Sequence, residues 1–323
     1  MTLRTVLCYP VQAHHCQQLA AVSPQLEIVD AGQQRIAEEL PTADIFIGHA
    51  KVPIPWDEVV AAGRLQWIQS SAAGLDHCLV PTVVESSIQV TSASGLFAHQ
   101  VAEQTIALLA GIYRGLPTFF RSQQKKEFIR RPTRDLRKAT IGIVGLGGNG
   151  RRIAEVLSVF QTRILATDVF PWDCPACVEQ LWPADQLDEL LSQVDVLILC
   201  VPLTPETKGL IDRHALQKMR PGSVLINVAR GPVVVEQDLI EALKSKHLHA
   251  AGIDVTEIEP LPTDSPLWDL ENVLITPHVG AQSARRVDDM TDFACDNLRR
   301  FLAGDPLENL VDKQLGYPAR PKN

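Results

Sequence analysis

Short apolar runs alternate with amphipathic stretches along the first 92 residues of the chain. Each run holds three or four residues, most of them apolar, as is typical of strands buried in a sheet. The stretches between the runs repeat their apolar residues at helical spacing. Because strands that alternate with helices form parallel sheets, this part of the sequence predicts an α/β domain. The predicted strands lie at residues 6–8, 26–29, 45–47, 65–68 and 88–90, and the predicted helices at residues 12–21, 33–39 and 56–62.

A second series of the same kind follows a long helical pattern. Residues 97–120 carry a broad apolar face that includes Val101, Leu108 and Ile112, and they predict one helix. Short apolar runs then recur, so the rest of this region predicts a second parallel sheet. Its predicted strands lie at residues 141–144, 164–167, 194–199, 223–228, 250–254 and 273–276.

The last helical pattern, at residues 283–303, places its apolar residues on one stripe. We expect this helix to return to the first domain and to complete it. The sequence therefore predicts a discontinuous first domain, residues 1–96 with 281–323, and a second domain of residues 97–280.

A glycine-rich turn joins the first strand of the second domain to the helix after it. Gly145, Gly147 and Gly150 stand in the order G-x-G-x-x-G, directly after the apolar run at 141–144. Glycines permit a tight turn and let a pyrophosphate reach the backbone N–H groups at a helix N-terminus. Asn149 occupies a position where an apolar residue is common. We expect it to alter how the turn binds the phosphates, but not to abolish the binding site. The following helix is predicted to bury Ile153, Val156, Leu157 and Phe160.

An acidic residue stands 18 positions after the third glycine. Asp168 ends the apolar run at 164–167. A carboxylate at this place accepts hydrogen bonds from the adenosine ribose hydroxyls and repels a 2′-phosphate. The four residues after Asp168 include no Arg that would neutralise such a phosphate. The strand, the glycines and Asp168 together predict a Rossmann-type, doubly wound nucleotide domain that binds NAD(H), with NADP disfavoured.

Composition narrows the class of protein. A length of 323 residues suits about two domains of about 100–200 residues each. The net charge of −8, with dispersed basic residues, argues against a protein that binds nucleic acid through a basic face. The first ten residues hold too short an apolar run for a signal peptide, and no run approaches the length of a membrane helix. We therefore expect a cytoplasmic protein without nucleic-acid or membrane partners.

The seven cysteines are scattered, which suits a reducing compartment better than a disulfide framework. Cys174 and Cys177 form a C-x-x-C motif, which is found in redox pairs and in halves of zinc sites. No second C-x-x-C and no matching histidine pair stands at zinc spacing, although His14, His15 and Cys16 have side chains that bind metals. We expect both clusters to be incidental and predict no metal site.

Three polar residues with catalytic potential follow predicted strands of the second domain. Arg230, Glu259 and His278 each follow a different strand, and ligands of doubly wound sheets bind outside that edge. A histidine exchanges protons near neutral pH, a neighbouring Glu favours the imidazolium, and an Arg fork holds carboxylate and carbonyl oxygens. Taken singly, each of these residues is more often structural or solvated. Their coincidence beside a dinucleotide turn favours a hydride-transfer site for a 2-hydroxy acid.

A loop of small residues follows the fourth predicted strand. Residues 70–76 have the sequence Ser-Ser-Ala-Ala-Gly-Leu-Asp. Such a loop either turns its backbone amides into an anion-binding nest or forms a plain turn, and the stretch by itself favours neither.

Several motifs resemble those of the D-isomer-specific 2-hydroxyacid dehydrogenases. They lie at residues 145–150, 202–207, 219–231, 254–261 and 276–278. The resemblance implies a Rossmann nucleotide domain and a smaller flavodoxin-like α/β substrate domain. It also implies a homodimer that is joined through the nucleotide domain.

The same resemblance implies roles for individual residues. His278 corresponds to the general acid/base, Glu259 to its partner, and Arg230 to the anchor of the substrate carboxylate and carbonyl. Ala73 and Gly74 correspond to lid-loop positions whose backbone amides bind the carboxylate. The positions that surround the nicotinamide half of the cofactor are Val101, Cys200, Pro202, Thr207, Ala229, Asp254 and Gly280, and the rest of the cofactor contacts Gly145, Gly147, Asn149, Gly150 and Asp168.

These roles predict an enzyme that interconverts a small 2-keto acid and its D-2-hydroxy acid with NAD(H). Glyoxylate and hydroxypyruvate are the substrates to test first. Glu259 stands where formate dehydrogenases of the group carry Gln, and Ala73 where phosphite dehydrogenases carry Lys, which disfavours both activities. The alternatives are phosphoglycerate dehydrogenase-type activity, and a regulatory protein that binds NAD(H) on the same scaffold, like the C-terminal-binding-protein corepressors.

Overall fold

The computed structural model describes residues 2–319 of the chain. Contacts between Cα atoms divide the chain into two compact units, Met1–Leu96 with Ser283–Asn323 (unit 1) and Phe97–Gln282 (unit 2). Within the described residues, each unit is built around its own parallel sheet, with five strands in unit 1 and seven in unit 2. The predicted α/β class with two parallel sheets is confirmed.

Unit 1 contains the smaller sheet. Its elements before residue 97 are β1 (Leu3–Cys8), α1 (Ala13–Ala20), β2 (Leu26–Asp30), α2 (Gly32–Glu39), β3 (Ile45–Gly48), α3 (Trp56–Ala61), β4 (Trp67–Ser70), α4 (Pro81–Glu85) and β5 (Gln89–Thr91). The strand order is β2-β1-β3-β4-β5, and every neighbouring pair is parallel. The central strands are apolar because both faces of a parallel sheet are covered, and Phe46, Trp67 and Ile68 are fully buried.

Unit 2 contains the larger sheet. Its helices are α5 (Ala98–Tyr113), α6 (Leu116–Gln124), α7 (Gly148–Ser158), α8 (Leu187–Leu191), α9 (Arg213–Lys218) and α10 (Glu236–Lys244). Its strands are β6 (Thr140–Val144), β7 (Arg163–Asp168), β8 (Gln180–Pro183), β9 (Val196–Leu199), β10 (Ser223–Asn227), β11 (Leu248–Ile253) and β12 (Val273–Ile275). Side chains alternate between the faces of a strand, so Ile141 and Ile143 join one apolar cluster and Val144 joins the other. Two clusters on opposite faces are what a doubly wound sheet requires.

The winding of unit 2 reverses at β6. The strand order is β12-β11-β10-β9-β6-β7-β8, with every neighbouring pair parallel. The chain therefore builds β7 and β8 on one side of β6 and places the next strand, β9, on the other side. Ligands of open parallel sheets bind outside the carboxyl ends of the strands at such a switch point. The glycine turn begins where β6 ends, so it lies at this edge.

The last helix, α11 (Arg286–Ala303), belongs to unit 1. Asn297 donates a hydrogen bond to Gln69 Oε1 at 2.8 Å, and the Thr291 hydroxyl lies 3.0 Å from the hydroxyl of Tyr9. Both contacts are buried, so they fix the helix against the sheet without leaving polar groups unsatisfied. With 18 residues α11 is the longest helix described, and neither it nor any other described helix has the length and apolarity needed to cross a membrane.

The single helix predicted at residues 97–120 is wrong, because two helices occupy that stretch. One ends at Tyr113 and the next begins at Leu116. Gly115 between them has a left-handed φ of 69°, and Pro117 lies in the first turn of α6. A left-handed glycine ends a helix and a proline starts one, so both signals stand in the sequence.

The predicted burial of Phe160 is also wrong. The helix after the glycine turn ends at Ser158, and Phe160 lies beyond it with an exposed ring. Ile153 and Leu157 are buried as predicted. Five of the strands and helices named above have no predicted counterpart, and most of them are too short to show a hydrophobic period: α4, β8, α8, α9 and α10.

Candidate functional site

The turn between β6 and α7 requires glycine at two positions. Gly145 has a φ of +91°, which an L side chain rarely adopts. A Cβ on Gly150 would lie 2.1 Å from the Gly145 carbonyl oxygen, so the helix packs directly on the turn. Gly147 caps α7, whose first turn includes Asn149, and a Cβ built on Gly147 meets no atom within 4 Å. The N-terminus of α7 therefore faces open space at Gly147, where its N–H groups favour an anion.

Asp168 ends β7 and is bonded to the glycine turn. One of its carboxylate oxygens accepts a hydrogen bond from the Leu146 N–H, and the other accepts one from the Phe170 N–H at 2.8 Å. These two bonds fix the carboxylate against the turn. Because an ionised carboxylate has about four acceptor sites, it retains capacity for ribose hydroxyls.

Arg151 places a guanidinium at the same turn, which the sequence analysis missed. Its Nε donates to the Leu146 carbonyl at 3.1 Å, and its second terminal nitrogen donates to the Asp173 carboxylate at 2.7 Å. The four residues after Asp168 contain no cation, and this one comes from α7 instead. Its position directly after Gly150 is the signal that would have revealed it.

The loop after β9 lies against the glycine turn. A Cβ on Gly145 would come 3.0 Å from the Cys200 backbone. Thr207 Oγ1 donates to the Pro202 carbonyl at 2.6 Å and so closes this loop. Burial raises the pKa of the Cys200 thiol to about 12, so this thiol stays protonated at neutral pH. Val101, another predicted cofactor position, is buried on α5.

The residues at this edge fit a pyridine dinucleotide. The space outside Gly147 and the N–H groups of α7 suit the pyrophosphate. The Asp168 carboxylate, held beside the turn, offers acceptors to a ribose.

His278 follows β12 and contacts Glu259, which lies in the loop after β11. His278 Nδ1 lies 2.8 Å from Glu259 Oε2, and Glu259 Oε1 accepts a hydrogen bond from the Thr256 N–H at 3.3 Å. The His278 and Glu259 side chains are 46% and 38% exposed, so a small molecule can reach them. Because an ionised carboxylate only accepts hydrogen bonds, His278 Nδ1 is the donor of this contact.

Asp254 holds the backbone around His278. Its buried carboxylate accepts hydrogen bonds from the Thr276 hydroxyl at 2.6 Å and from the Val279 and Gly280 N–H groups at 3.0 and 2.7 Å. Its carbonyl accepts from the His278 N–H at 2.7 Å. His278 has a left-handed φ of 53°, a conformation that costs a non-glycine residue about 1–2 kcal/mol. The bonds to Asp254 offset this cost, a role that the sequence analysis did not foresee.

Arg230 follows β10 and is positioned by a buried asparagine. Asn227 accepts a hydrogen bond from the Ala229 N–H at 3.0 Å and donates one to the Arg230 carbonyl at 3.1 Å. The Arg230 guanidinium donates to the Ala229 carbonyl at 2.8 Å. Asn227 thus fixes the turn from which the guanidinium extends.

Three candidate catalytic residues leave the sheet at one edge. Arg230, Glu259 and His278 follow β10, β11 and β12, which are neighbours in the sheet. A Cβ on Gly231 would lie 1.9 Å from the Thr256 carbonyl oxygen, so the loops that carry Arg230 and Glu259 are in contact. Adjacent strands therefore place the three side chains along the same edge as the glycine turn.

Ala73 and Gly74 lie in unit 1, in the loop after β4. Ser70 Oγ accepts a hydrogen bond from the Ala72 N–H at 3.1 Å, and Arg286 on α11 donates to the Ser71 carbonyl at 3.2 Å. Ala73 is exposed and Gly74 is buried. The role of this loop as an anion-binding nest stays a prediction.

Among residues 2–319, one group of three possible metal ligands lies close together, formed by His14, His15 and Asp288 in unit 1. His15 Nδ1 accepts a hydrogen bond from the Gln12 N–H at 3.0 Å, and its Nε2 lies 2.9 Å from Asp288 Oδ1. A neutral His15 therefore carries its proton on Nε2 and donates it to Asp288, which leaves no lone pair for a metal.

Comparison with known proteins identifies relatives that cover most of the chain. It is 35% identical over 264 residues to a glyoxylate reductase of Thermofilum pendens, a match that covers 79% of this chain and 77% of that protein. It is 33% identical over 300 residues to D-3-phosphoglycerate dehydrogenase of Mycobacterium tuberculosis, which covers 91% of this chain. The chain spans only about half the length of that relative, 56%.

A solved structure and a family profile agree with these relatives. A D-isomer specific 2-hydroxyacid dehydrogenase from Xanthobacter autotrophicus, crystallised with NADPH and MES, has a TM-score of 0.84 and 28% identity. The match covers 98% of this chain and all of that one. The profile described as "D-isomer specific 2-hydroxyacid dehydrogenase, NAD binding domain" matches residues 106–280. The chain therefore belongs to the D-isomer-specific 2-hydroxyacid dehydrogenase family, and its unit 2 contains the NAD-binding domain.

Proposed function

We propose that this chain is an NAD(H)-dependent oxidoreductase that interconverts a small 2-keto acid and its D-2-hydroxy acid. Glyoxylate and hydroxypyruvate are the substrates to test first. The observation that carries the proposal is the 2.8 Å contact between His278 Nδ1 and Glu259 Oε2, at the sheet edge that also carries Arg230 and the glycine turn. An accessible imidazole with a fixed orientation is what proton exchange with a hydroxyl or carbonyl oxygen requires.

His278, oriented by Glu259, is proposed to exchange a proton with the substrate oxygen. Glu259 accepts a hydrogen bond from His278 Nδ1, so Nε2 gives a proton to the carbonyl oxygen in reduction and takes it back in oxidation. When NADH is bound, it supplies the hydride.

Arg230 is proposed to bind the negatively charged groups of the substrate. In our proposal the Arg230 fork holds the substrate carboxylate and the carbonyl oxygen on which charge builds. Stabilisation of this kind is worth about 3 kcal/mol for each donor. We further propose that unit 1 is the substrate domain, in which the backbone amides of Ala73 and Gly74 bind a carboxylate, and that unit 2 is the nucleotide domain.

We propose NAD(H) rather than NADP(H) as the cofactor. The Asp168 carboxylate is held beside the glycine turn, where it would repel a 2′-phosphate. The nearby guanidinium of Arg151 is engaged by the Asp173 carboxylate. The Xanthobacter autotrophicus relative was crystallised with NADPH, so the cofactor has to be tested with both dinucleotides.

The test is a spectrophotometric screen of NADH and NADPH oxidation over a panel of 2-keto acids, together with NAD⁺ reduction by D-3-phosphoglycerate. We expect turnover of glyoxylate or hydroxypyruvate with NADH. Turnover of D-3-phosphoglycerate instead would support the activity for which the Mycobacterium tuberculosis relative is named. NADH binding without turnover of any substrate would support the regulatory alternative and overturn the proposed enzyme.

We also propose that the protein is a homodimer, joined through unit 2. Four apolar side chains in and just after α6 are exposed, and Phe128 is wholly so. Exposed apolar side chains in one segment mark a surface that another protein covers, and a second copy is the occupant we propose. We call this segment the apolar arm, and its members are Leu116, Phe120, Phe128 and Ile129.

We propose a reducing compartment such as the cytoplasm. All seven cysteines are free thiols, three of them buried. Such a set persists where cellular reductants keep thiols reduced.

A further inference from the structure

The loop between β7 and β8 carries two thiols that the proposed reaction does not use. We call residues 169–178 the thiol loop. Cys174 is exposed and Cys177 is half-buried, and both are free. A turn lies between them, in which the Val178 N–H donates to the Pro175 carbonyl at 2.9 Å.

Both thiols belong to this turn. Cys174 Sγ donates to the Val178 carbonyl at 3.6 Å, so its side chain folds over the turn that ends next to Cys177. Burial raises the pKa of the Cys177 thiol, and negative charge on Glu155 and Cys174 raises it further. Two cysteines three residues apart, with side chains on one turn, have the spacing at which local disulfides form.

The thiol loop is bonded to the glycine turn at two points. The Phe170 N–H donates to Asp168 at 2.8 Å, and Asp168 accepts the Leu146 N–H with its other oxygen. Arg151 makes the second connection, with bonds to the Leu146 carbonyl at 3.1 Å and to the Asp173 carbonyl at 2.6 Å.

Arg151 therefore connects the thiol loop to the glycine turn. Asp173, which Arg151 holds, is the residue directly before Cys174. Drawing Cys174 and Cys177 into a small ring changes the backbone that carries Asp173, because disulfide geometry fixes the separation of the two residues.

We infer that Cys174 and Cys177 form a reversible disulfide, and that its closure weakens dinucleotide binding at the glycine turn. The inference rests on the dinucleotide part of the proposed function and not on the 2-keto acid.

The oxidant we name is a small disulfide such as oxidised glutathione. The thiolate of exposed Cys174 attacks one sulfur of it, which forms a mixed disulfide and releases one glutathione thiolate. The Cys177 thiolate then attacks the Cys174 sulfur and displaces the second glutathione. Two protein thiols are oxidised, one glutathione disulfide is reduced to two thiols, and the two protons go to solvent or to the leaving thiolates.

Two rival interpretations fit the contacts less well. A zinc or other metal site needs further ligands, and in the part of the chain described no group of three ligands includes Cys174 or Cys177. Three of the other cysteines, Cys8, Cys78 and Cys295, are buried, so an oxidant reaches them less readily than it reaches the exposed Cys174.

The experiment compares reduced protein with protein equilibrated in oxidised glutathione. Peptide mass mapping should show a Cys174–Cys177 link and the loss of two hydrogen atoms. The Kd for NADH, from the fluorescence of the bound nucleotide, should rise about fivefold on oxidation, which is the equivalent of one hydrogen bond. Dithiothreitol should restore it. Cys174→Ser and Cys177→Ser should each bind NADH like reduced wild type and lose the response, whereas the control Cys16→Ser should keep it.

The inference is overturned if the two thiols stay unlinked in oxidised glutathione, or if the link forms and the Kd for NADH is unchanged. A response that persists in Cys174→Ser also overturns it, because another thiol would then be responsible. NADH binding is measured without substrate, so a protein that reduces no 2-keto acid but loses NADH affinity on oxidation would refute the proposed enzyme and support this inference.

Discussion

At the residue scale, the proposed chemistry depends on one imidazole and on the groups that hold it. Glu259 Oε2 accepts a hydrogen bond from His278 Nδ1 at 2.8 Å, and in our proposal this bond leaves Nε2 as the nitrogen that exchanges protons. Asp254 holds the left-handed backbone of His278 through bonds on both sides of it. Loss of proton exchange and loss of position are therefore separable effects, and two substitutions distinguish them.

Replacing His278 with Gln should abolish most of the turnover and leave nucleotide binding intact. Gln keeps a polar side chain but exchanges no proton, and general acid–base catalysis contributes about 10²–10⁴-fold. We expect kcat to fall by that order while the Kd for NADH stays within about twofold. The control is His214→Gln on α9, whose side chain is exposed. Near-normal kcat in His278→Gln would remove His278 from the mechanism.

Replacing Asp254 with Asn should lower both stability and activity. An amide has one acceptor oxygen, so at least one of the N–H groups of Val279 and Gly280 loses its partner. A buried donor without an acceptor costs about 1–3 kcal/mol. We expect a lower Tm together with a lower kcat/KM, while the exposed control Asp264→Asn matches wild type in both. A variant with wild-type Tm and kcat/KM would show that Asp254 does not position the His278 loop.

Replacing Asp168 with Ala should relax the preference for NADH. The substitution removes the negative charge that would oppose a 2′-phosphate and leaves the Arg151 guanidinium at the same turn. We expect the ratio of kcat/KM for NADH over NADPH to fall about tenfold, equivalent to about 1.4 kcal/mol. Asp185→Ala, an exposed carboxylate in the same unit, is the control. An unchanged ratio would assign the preference to another feature.

At the element scale, the glycine turn offers a matched pair of substitutions. A Cβ on Gly150 would overlap the Gly145 carbonyl oxygen, whereas a Cβ on Gly147 meets open space. Gly150→Ala should therefore lower the Tm, since the start of α7 must move. Gly147→Ala should keep the wild-type Tm and lose NADH affinity, because its methyl group occupies the space proposed for the pyrophosphate. Equal NADH affinity in Gly147→Ala and wild type would place the nucleotide elsewhere.

An element can be predicted from sequence when the residues that cause it to form lie within or next to it in the chain. The strand at β6 and the turn after it were predicted because an apolar run and three glycines are local requirements. The split of the long helix at Gly115 has local signals too, but the apolar pattern continues through it and conceals them. The strand β8 was missed because its four residues show no period and its pairing with β7 is decided by the fold.

At the scale of the whole molecule, the sequence predicts which residues follow the ends of strands, but it does not predict how those residues are held. Arg230, Glu259 and His278 were selected as candidates because each follows an apolar run, and the observed order of β10, β11 and β12 makes the strands that carry them neighbours. Arg151 and the scaffold role of Asp254 were not found, because the bond from Arg151 to Asp173 and the bond from Thr276 to Asp254 each join residues 22 positions apart in the chain. Sequence patterns identify which groups reach an edge, but long-range hydrogen bonds decide how each group is held there.

The proposed dimer makes a prediction about the apolar arm. Phe128 and Ile129 are exposed apolar side chains that water solvates poorly, so covering them with a second copy stabilises the assembly. We expect wild-type protein to have the mass of a dimer by light scattering. The double variant Phe128→Asp with Ile129→Asp should have the mass of a monomer at the same concentration, because it would bury unpaired charges. Val159, which is 80% exposed outside the arm, supplies the control Val159→Asp, which should remain dimeric. A double variant that stays dimeric would exclude the arm as the interface, and a monomeric wild type would refute the dimer itself.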